Sequence, residues 1–399
     1  MTTKKTELTD GDPRPRDSEP EPQHIPMSIV SPEQSPHFTR WRDPVSGVES
    51  LILSGRVAPL QQSFYYTNPS FTADGRFLWF MAAFPPGTHK QAGIVDFAGG
   101  TIRLVPEIQP DGGAHVDPVS GTIYWTTGAE LWKRGPLPDD RPVLANVFPA
   151  ELVRNRRPLT LATHLIPSAD GKSFFCDAQC GREWICGDLP LDGSPFRVWQ
   201  TFDHRYDHAQ FSPTDPDLAL IAQDHWWDPI TGEPGVVKDR LWLIRRGEKA
   251  RPILPDDPLP SANRGHEWWD ADGEHVWYLD YTEGPKQGTK KVNIRTGRVE
   301  TVWPHGHSHS HCDPTGRYLA GDIVSWPADK WQVAFYNATT CREIAIVTLL
   351  PPCALRSAYH VHPHPQFCLN GRYVCYTTNV LGTVDLALTP VEELVRLTS

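Results

Sequence analysis

The stretch Phe71-Thr72-Ala73-Asp74-Gly75-Arg76-Phe77-Leu78-Trp79-Phe80 decides the fold, because the chain repeats its pattern. A short polar turn ending in Asp-Gly runs into a string of apolar and aromatic residues. Glycine accepts positive φ at little cost, so Asp-Gly and Asn-Gly favour a tight hairpin turn. The pattern returns at Asp117-Pro118-Val119-Ser120-Gly121, Ser168-Ala169-Asp170-Gly171 and Phe211-Ser212-Pro213-Thr214-Asp215-Pro216-Asp217. It appears again at Trp269-Asp270-Ala271-Asp272-Gly273, Cys312-Asp313-Pro314-Thr315-Gly316 and Phe367-Cys368-Leu369-Asn370-Gly371. With the turn glycine as marker, and Asp217 in the fourth copy, the spacings are 46, 50, 46, 56, 43 and 55 residues.

Further strand-like runs follow several copies: Asp239 to Ile244, Lys291 to Ile294 and Gln332 to Tyr336. A repeat of this length, made of hairpins and almost free of helical periodicity, predicts an all-β, seven-bladed β-propeller. Two β-sandwiches would not produce one regular repeat along the whole chain. The early run Gly47 to Ile52 is expected to pair with the last blade, around Thr383 to Leu388, and close the ring. Residues 1–37 are rich in Pro, Glu, Asp, Lys and Ser and nearly free of large apolar side chains. They read as a disordered tail; residues 38–399 read as the propeller domain.

Forty prolines in 399 residues agree with many strands and loops. A net charge of −10 argues against a general binder of nucleic acid or anionic membrane. The eight cysteines are scattered, and Cys176, Cys180 and Cys186 are too irregularly spaced for a zinc knuckle. Free thiols in a reducing compartment are expected. The absence of a signal-peptide core or a transmembrane-length apolar run makes a cytoplasmic location the expectation.

Seven of the seventeen histidines lie in two short segments, His305-Gly306-His307-Ser308-His309-Ser310-His311 and His360-Val361-His362-Pro363-His364. Extended chain sends residues i and i+2 to one side, so His362 and His364 can aim two imidazoles at one point. One further histidine from a neighbouring strand would complete a three-histidine metal site. His204 and His208, His266, the 305–311 run and the 360–364 run all precede turns of successive repeats. In a propeller that shared position places them at one end of the axis. Individually, His305, His307 and His311 are expected to be loop histidines exposed to solvent.

These segments resemble the oligogalacturonate lyases, a family of seven-bladed propeller enzymes of pectin breakdown. The resemblance spans most of the globular chain, from Ser63-Phe64-Tyr65-Tyr66 onward. It is most specific at Asp239-Arg240-Leu241-Trp242-Leu243-Ile244, His266-Glu267-Trp268, Ser308-His309 and His362-Pro363-His364-Pro365. It implies His266 as general base, Arg240 as an arginine at the substrate, and His309, His362 and His364 as ligands of a divalent metal, typically Mn2+. The family's remaining ligand is a glutamine three residues before His-Pro-His. Here Tyr359 occupies that position and His360 follows, so Tyr359, His360 or water is the fourth ligand.

The residue types suit such a reaction. β-Elimination from a uronate removes the C5 proton, alpha to a carboxylate, and expels the C4 oxygen. Positive charge at the carboxylate disperses the charge that develops there. Arginine binds a carboxylate through both oxygens and stays charged. Histidine is a base available near neutral pH. His208 is a candidate substrate contact, with a structural role the equal alternative. The expected activity is therefore a metal-dependent lyase acting on a small anionic oligosaccharide, a short oligogalacturonide. It would yield a 4,5-unsaturated uronate, or its 5-dehydro-4-deoxy-glucuronate rearrangement product. The alternatives are a lyase for ulvan- or glucuronan-derived oligomers, and a non-catalytic interaction propeller. A hydrolase on this fold would need carboxylate ligands or a paired carboxylate acid and base, and the expected cluster is chiefly histidine, with Glu267 beside His266.

Overall fold

The first and third repeats fold around the same small turn. In the first copy the Thr72 hydroxyl donates to Asp74 Oδ1 (2.6 Å), and that oxygen also accepts from the Arg76 amide (2.9 Å). Gly75 sits at φ +76°, and its N–H reaches the Thr72 carbonyl. Ser168, Asp170 and Gly171 build the same turn, with the Ser168 hydroxyl on Asp170 Oδ1 (2.7 Å) and Gly171 at φ +68°. A side chain at either glycine would be strained by the left-handed backbone.

In the computed structural model the described residues are 31–399, apart from 155, 229, 255–262, 285 and 326–327. They form seven antiparallel sheets, the blades of a β-propeller. Blade one comprises Leu60–Gln62, Phe77–Ala83, Lys90–Asp96 and Thr101–Val105. Blades two to six follow in chain order, each numbered outward from the axis. Blade seven is composite: Gln366–Cys368, Tyr373–Thr378 and Asp385–Pro390 are continued outward by Glu49–Leu53 and Phe38–Arg42. The ring therefore closes as the sequence suggests, with Leu51 opposite Leu388 and Ile52 opposite Ala387.

A blade has two faces, and each is covered by its neighbour. Phe77–Ala83 is accordingly buried at every position, unlike the half-polar alternation of a sheet with one wet face. An apolar cluster fills the gap between each adjacent pair of blades. Between six and seven it joins Trp331, Val333 and Phe335 to Val374, Tyr376 and Ile52. Between seven and one it joins Leu386, Leu388 and Leu51 to Leu78 and Phe80. Trp79 and Trp277 are fully buried, and the Trp79 indole donates to the Gly121 carbonyl of the next turn (3.0 Å). Two short helices, Arg356–Tyr359 and Val391–Thr398, escaped the sequence reading. The second buries Leu394 in the cluster between blades six and seven.

Of the tail expected at residues 1–37, residues 1–30 lie outside the described residues. Residues 31–37 belong to the packed structure: Pro32 is buried, and Glu33 accepts a hydrogen bond from the Tyr373 hydroxyl. The eight cysteines are unpaired. No helix among the described residues is long and apolar enough to cross a membrane.

Ile52 is fully buried at the closing strand, and Ile→Ala in a packed core costs about 2–5 kcal/mol. Ile52→Ala should therefore lower the unfolding free energy by that amount in a urea titration. Val45→Ala, in the exposed turn between the two closing strands, should change it by less than about 0.5 kcal/mol. Equal effects would mean that the closing strand is not packed as described.

Candidate active site

The repeat places one residue per blade at the same point on the inner wall. Asn68, His164, His266, His309 and His364 each stand seven residues before their turn glycines, Gly75, Gly171, Gly273, Gly316 and Gly371. Ala114 holds that place before Gly121, and His208 holds it before Asp215, which follows Phe211 as Gly75 follows Phe71. Around the axis the order is Asn, Ala and five histidines. Three of those histidines adopt left-handed backbone: His208 (φ 51°), His266 (φ 50°) and His364 (φ 45°). Pairing to the next strand shifts register between Asp207 and Gln210 and between Gly265 and Trp268. Such bulges re-aim side chains, and here they turn imidazoles toward the axis. The His-Pro-His segment is accordingly not the plain extended chain of the i, i+2 argument.

Four histidines gather from blades six and seven. One nitrogen each from His309, His360, His362 and His364 lies within 4.8 Å of the others. His309 is 1% exposed and its Nδ1 lies 2.9 Å from Asp322 Oδ2. With Nδ1–H donated to that carboxylate, the Nε2 lone pair is free as a ligand. Asp322 also accepts the backbone N–H groups of His309 (2.8 Å) and His364 (3.2 Å), tying the two blades together. His362 Nδ1 and His364 Nε2 are buried without a hydrogen-bond partner among the described residues. Burial, then the neighbouring imidazoles, holds His362 down at about 3 and His364 well below the usual histidine range. Neutral imidazoles are the form that ligates a metal.

Tyr359 does not join this group. Its hydroxyl donates to the Gly87 carbonyl (3.0 Å), and its ring packs with Leu60, Val361 and Val384. His360 takes the place instead, because it ends the Arg356–Tyr359 helix in a left-handed conformation (φ 50°) that turns its ring toward His362, 4.1 Å away.

His266 lies beside the cluster, its ring 4.1 Å from that of His309. Its Nδ1 is hydrogen-bonded to the Tyr281 hydroxyl, which itself donates to the Ser308 carbonyl (3.1 Å). Tyr281 has one proton, so His266 Nδ1 is the donor and Nε2 keeps its lone pair. Burial first, then His309, His208 and Arg240, hold the imidazole well below its ordinary pKa. It is thus neutral, with a free basic nitrogen.

Arg240 is 6% exposed and belongs to a buried charge network. Its Nε and Nη2 contact the two Glu267 oxygens (3.1 and 3.3 Å), and Nη1 pairs with Asp224. His208 Nδ1 lies 3.1 Å from both Arg240 Nη2 and Glu267 Oε1. Burial pushes the Glu267 carboxyl up, but Arg240 and His208 outweigh it and hold the group far below the carboxylate range. Burial lowers His208, and Asp207 and Glu267 more than offset it. The arginine expected at the substrate thus has its guanidinium paired with two carboxylates.

A cavity of about 330 Å3 is lined by Asn68, Ala114, His164, His208, His266 and His364 of the ring, with Tyr65, His360 and Lys90. A larger one, about 630 Å3, is ringed by the turns themselves and holds little chemistry beyond His115 and His311. Tyr65 stands inside the histidine ring, its own ring 4.7 Å from His164 and 4.8 Å from His364. Lys90, His164, Tyr281 and Asp322 were not singled out from the sequence. His164 was detectable from its seven-residue spacing. Lys90, a strand-end lysine, carries no such signal. Burial lowers the Lys90 ammonium to about 8, and it makes no salt bridge among the described residues. His307 and His311 are not solvent-exposed loop residues either: His307 is 4% exposed and His311 Nδ1 accepts the Phe367 N–H (3.1 Å).

No protein-family model matches the chain. It is similar to an oligogalacturonate lyase of Dickeya dadantii, 21% identical, and to an oligogalacturonide lyase of Pectobacterium atrosepticum, 22% identical. Each match covers 47% of this chain and 50% of the relative, so the chain spans about half the length of the curated relatives it matches. Two solved structures share the fold. An oligogalacturonate lyase in complex with manganese superposes with a TM-score of 0.70 at 16% identity, covering 88% of this chain and 96% of the other. The oligogalacturonate lyase of Vibrio parahaemolyticus gives 0.71 at 16% identity, covering 89% and 96%. The resemblance read from the sequence thus recurs in both comparisons.

Removing one partner of a buried ion pair costs about 3–5 kcal/mol. Glu267→Gln should therefore lower the unfolding free energy by about that much at pH 7 in a denaturant titration. Because the folded-state pKa of Glu267 is depressed, its contribution is present above the ordinary 4.5 and lost as pH falls below it. The gap between native protein and variant should narrow as pH drops beneath 4.5. A gap independent of pH would remove the charge of Glu267 from the account.

Proposed function

We propose that the protein is a metal-dependent lyase that cleaves short oligogalacturonides by β-elimination, releasing a 4,5-unsaturated uronate. The observation that carries this reading is His266: a half-buried, neutral imidazole with a free Nε2, lining a cavity that also holds a lysine and two histidines of the four-histidine group. The names of the relatives and of the two fold neighbours point the same way.

The residues suit a divalent cation on their own terms. Four neutral imidazoles converge, two with buried nitrogens that lack a partner among the described residues, and His309 is oriented from behind by Asp322. His309, His360, His362 and His364 would hold the ion, and manganese is the ion proposed, being present in the solved neighbour. When bound, it would supply Lewis-acid stabilisation of negative charge on the substrate carboxylate.

The other roles fall to the chain itself. His266 Nε2 takes the C5 proton, while Tyr281 holds the ring in the tautomer that leaves this nitrogen basic. Lys90, a cation at the cavity wall without a carboxylate partner among the described residues, meets the uronate carboxylate. Arg240 is the second cation. It reaches substrate by exchanging Asp224, whose side chain is 20% exposed, for the substrate carboxylate. Through Glu267 it also keeps His208 against the cavity as a substrate contact. Tyr65, inside the histidine ring, presents an aromatic face to the sugar.

The direct test is to incubate the Mn2+-loaded protein with digalacturonate and follow the ultraviolet absorbance of the new C4–C5 double bond. No absorbance with any uronide would overturn the lyase reading, and cleavage without a double bond would indicate hydrolysis. A general base contributes about 10²–10⁴-fold, so His266→Ala should lower kcat by that factor with metal content unchanged. His364→Ala should lose turnover together with the metal equivalent held by the four-histidine group, as measured by elemental analysis alongside the assay.

Lys90→Ala should lower kcat/KM about 10–100-fold, the loss of one charge-assisted contact of about 1.5–3 kcal/mol. Lys90→Arg should restore part of it. An unchanged kcat/KM in Lys90→Ala would take this side chain out of substrate recognition.

A further inference from the structure

A second group of metal-type ligands lies away from the histidine ring, in residues the lyase reading does not use. The outermost strand of blade five, Val299–Trp303, leads to the innermost strand of blade six, His309–Cys312. The connection between them carries His305 and His307. The outermost strand of blade six, Arg342–Val347, brings Glu343 to the same place. One nitrogen each of His305 and His307 and one oxygen of Glu343 lie within 4.8 Å of one another.

His307 is the telling member. It is 4% exposed, yet neither Nδ1 nor Nε2 has a hydrogen-bond partner among the described residues. A buried imidazole with both nitrogens unpaired carries an uncompensated desolvation cost. Nor is its position loosely held. Its ring centroid is 3.7 Å from the Trp303 ring, and at Gly321 a Cβ would come within 2.8 Å of His307 Cδ2. Blade six therefore leaves the space that this ring occupies.

The partners are arranged as a ligand set. Glu343 Oε2 accepts the Trp303 indole N–H (2.8 Å) and lies 3.0 Å from His305 Nδ1. A hydrogen bond from behind orients a carboxylate for a metal, as outer-shell partners do in known sites. His305 and Glu343 keep 48% and 32% of their side-chain surface exposed, so a cation can enter from solvent. Two imidazoles and one carboxylate are a donor set suited to Zn2+.

We propose that His305, His307 and Glu343 bind a divalent cation of the Zn2+ class and pin the connection between blades five and six. The site is structural and shares no residue with the four-histidine group. Its effect would reach the cavity through the chain, because His309 follows His307 by two residues and enters the ring directly from this connection.

The test uses full-length protein stripped of metal, reloaded with excess Zn2+, freed of unbound ion by gel filtration and measured by elemental mass spectrometry. The native chain should retain two equivalents. His305→Ala and Glu343→Gln alter partly exposed side chains, so both should fold, and each should retain one equivalent. His364→Ala should also retain one, and His364→Ala combined with Glu343→Gln none. Added Zn2+ should raise the Tm of the stripped His364→Ala protein and not that of the double variant. Native-level Zn2+ in both His305→Ala and Glu343→Gln would overturn the site, as would a total loss in His364→Ala alone. Either result is independent of lyase activity, because the readout is bound metal rather than turnover.

Discussion

Each blade has two apolar faces and neither tolerates water, so no blade is stable until both of its neighbours are in place. Clusters of buried side chains fill each gap between adjacent blades, including the one that spans the chain's own beginning and end. Burying one Leu, Ile or Phe side chain is worth about 1.5–3 kcal/mol. The gap between blades seven and one alone holds nine buried Leu and Phe side chains. Closure by Glu49–Leu53 against Asp385–Pro390 is thus the condition for everything else. Once the ring shuts, seven equivalent positions are forced around one axis, whatever residues occupy them.

That geometry explains why histidines far apart in sequence share one pocket. It also explains the two electrostatic regimes found there. On the side of blades six and seven, burial without carboxylate pairing keeps His362 and His364 neutral, and Asp322 orients His309. On the side of blades four and five, Arg240, Glu267 and Asp224 form a paired network that keeps its charges despite burial. His266 lies between the two and is made neutral by burial first, then by its neighbours His309, His208 and Arg240. The left-handed backbone at His208, His266 and His364 is a local cost of about 1–3 kcal/mol each. The packed blades on either side hold these residues in place.

The fold was legible in the sequence because the hairpin turn has a local cause. A short polar turn sets its own backbone, and its seven copies count the blades. The metal-type cluster was legible in part. His309, His362 and His364 lie close in sequence to the turns that position them. The fourth donor was not legible, since Tyr359 and His360 are neighbours and only the end of a four-residue helix decides which one turns inward. Asp322, Tyr281 and Lys90 have no motif. They act through partners 13 to 27 residues away or on other blades.

By itself, then, the sequence determined the repeat, the all-β class, the closing strand and the level along the axis at which the histidines stand, because turns and hydrophobic runs act over a few residues. Only the tertiary structure decided which side chains face one another across the ring. It tied Arg240 to Glu267 and Asp224, placed Lys90 at the cavity wall, and packed His307 against Trp303. The reason is physical: charge pairing and burial depend on distances across the axis and between blades, and those distances exist only once the ring has closed.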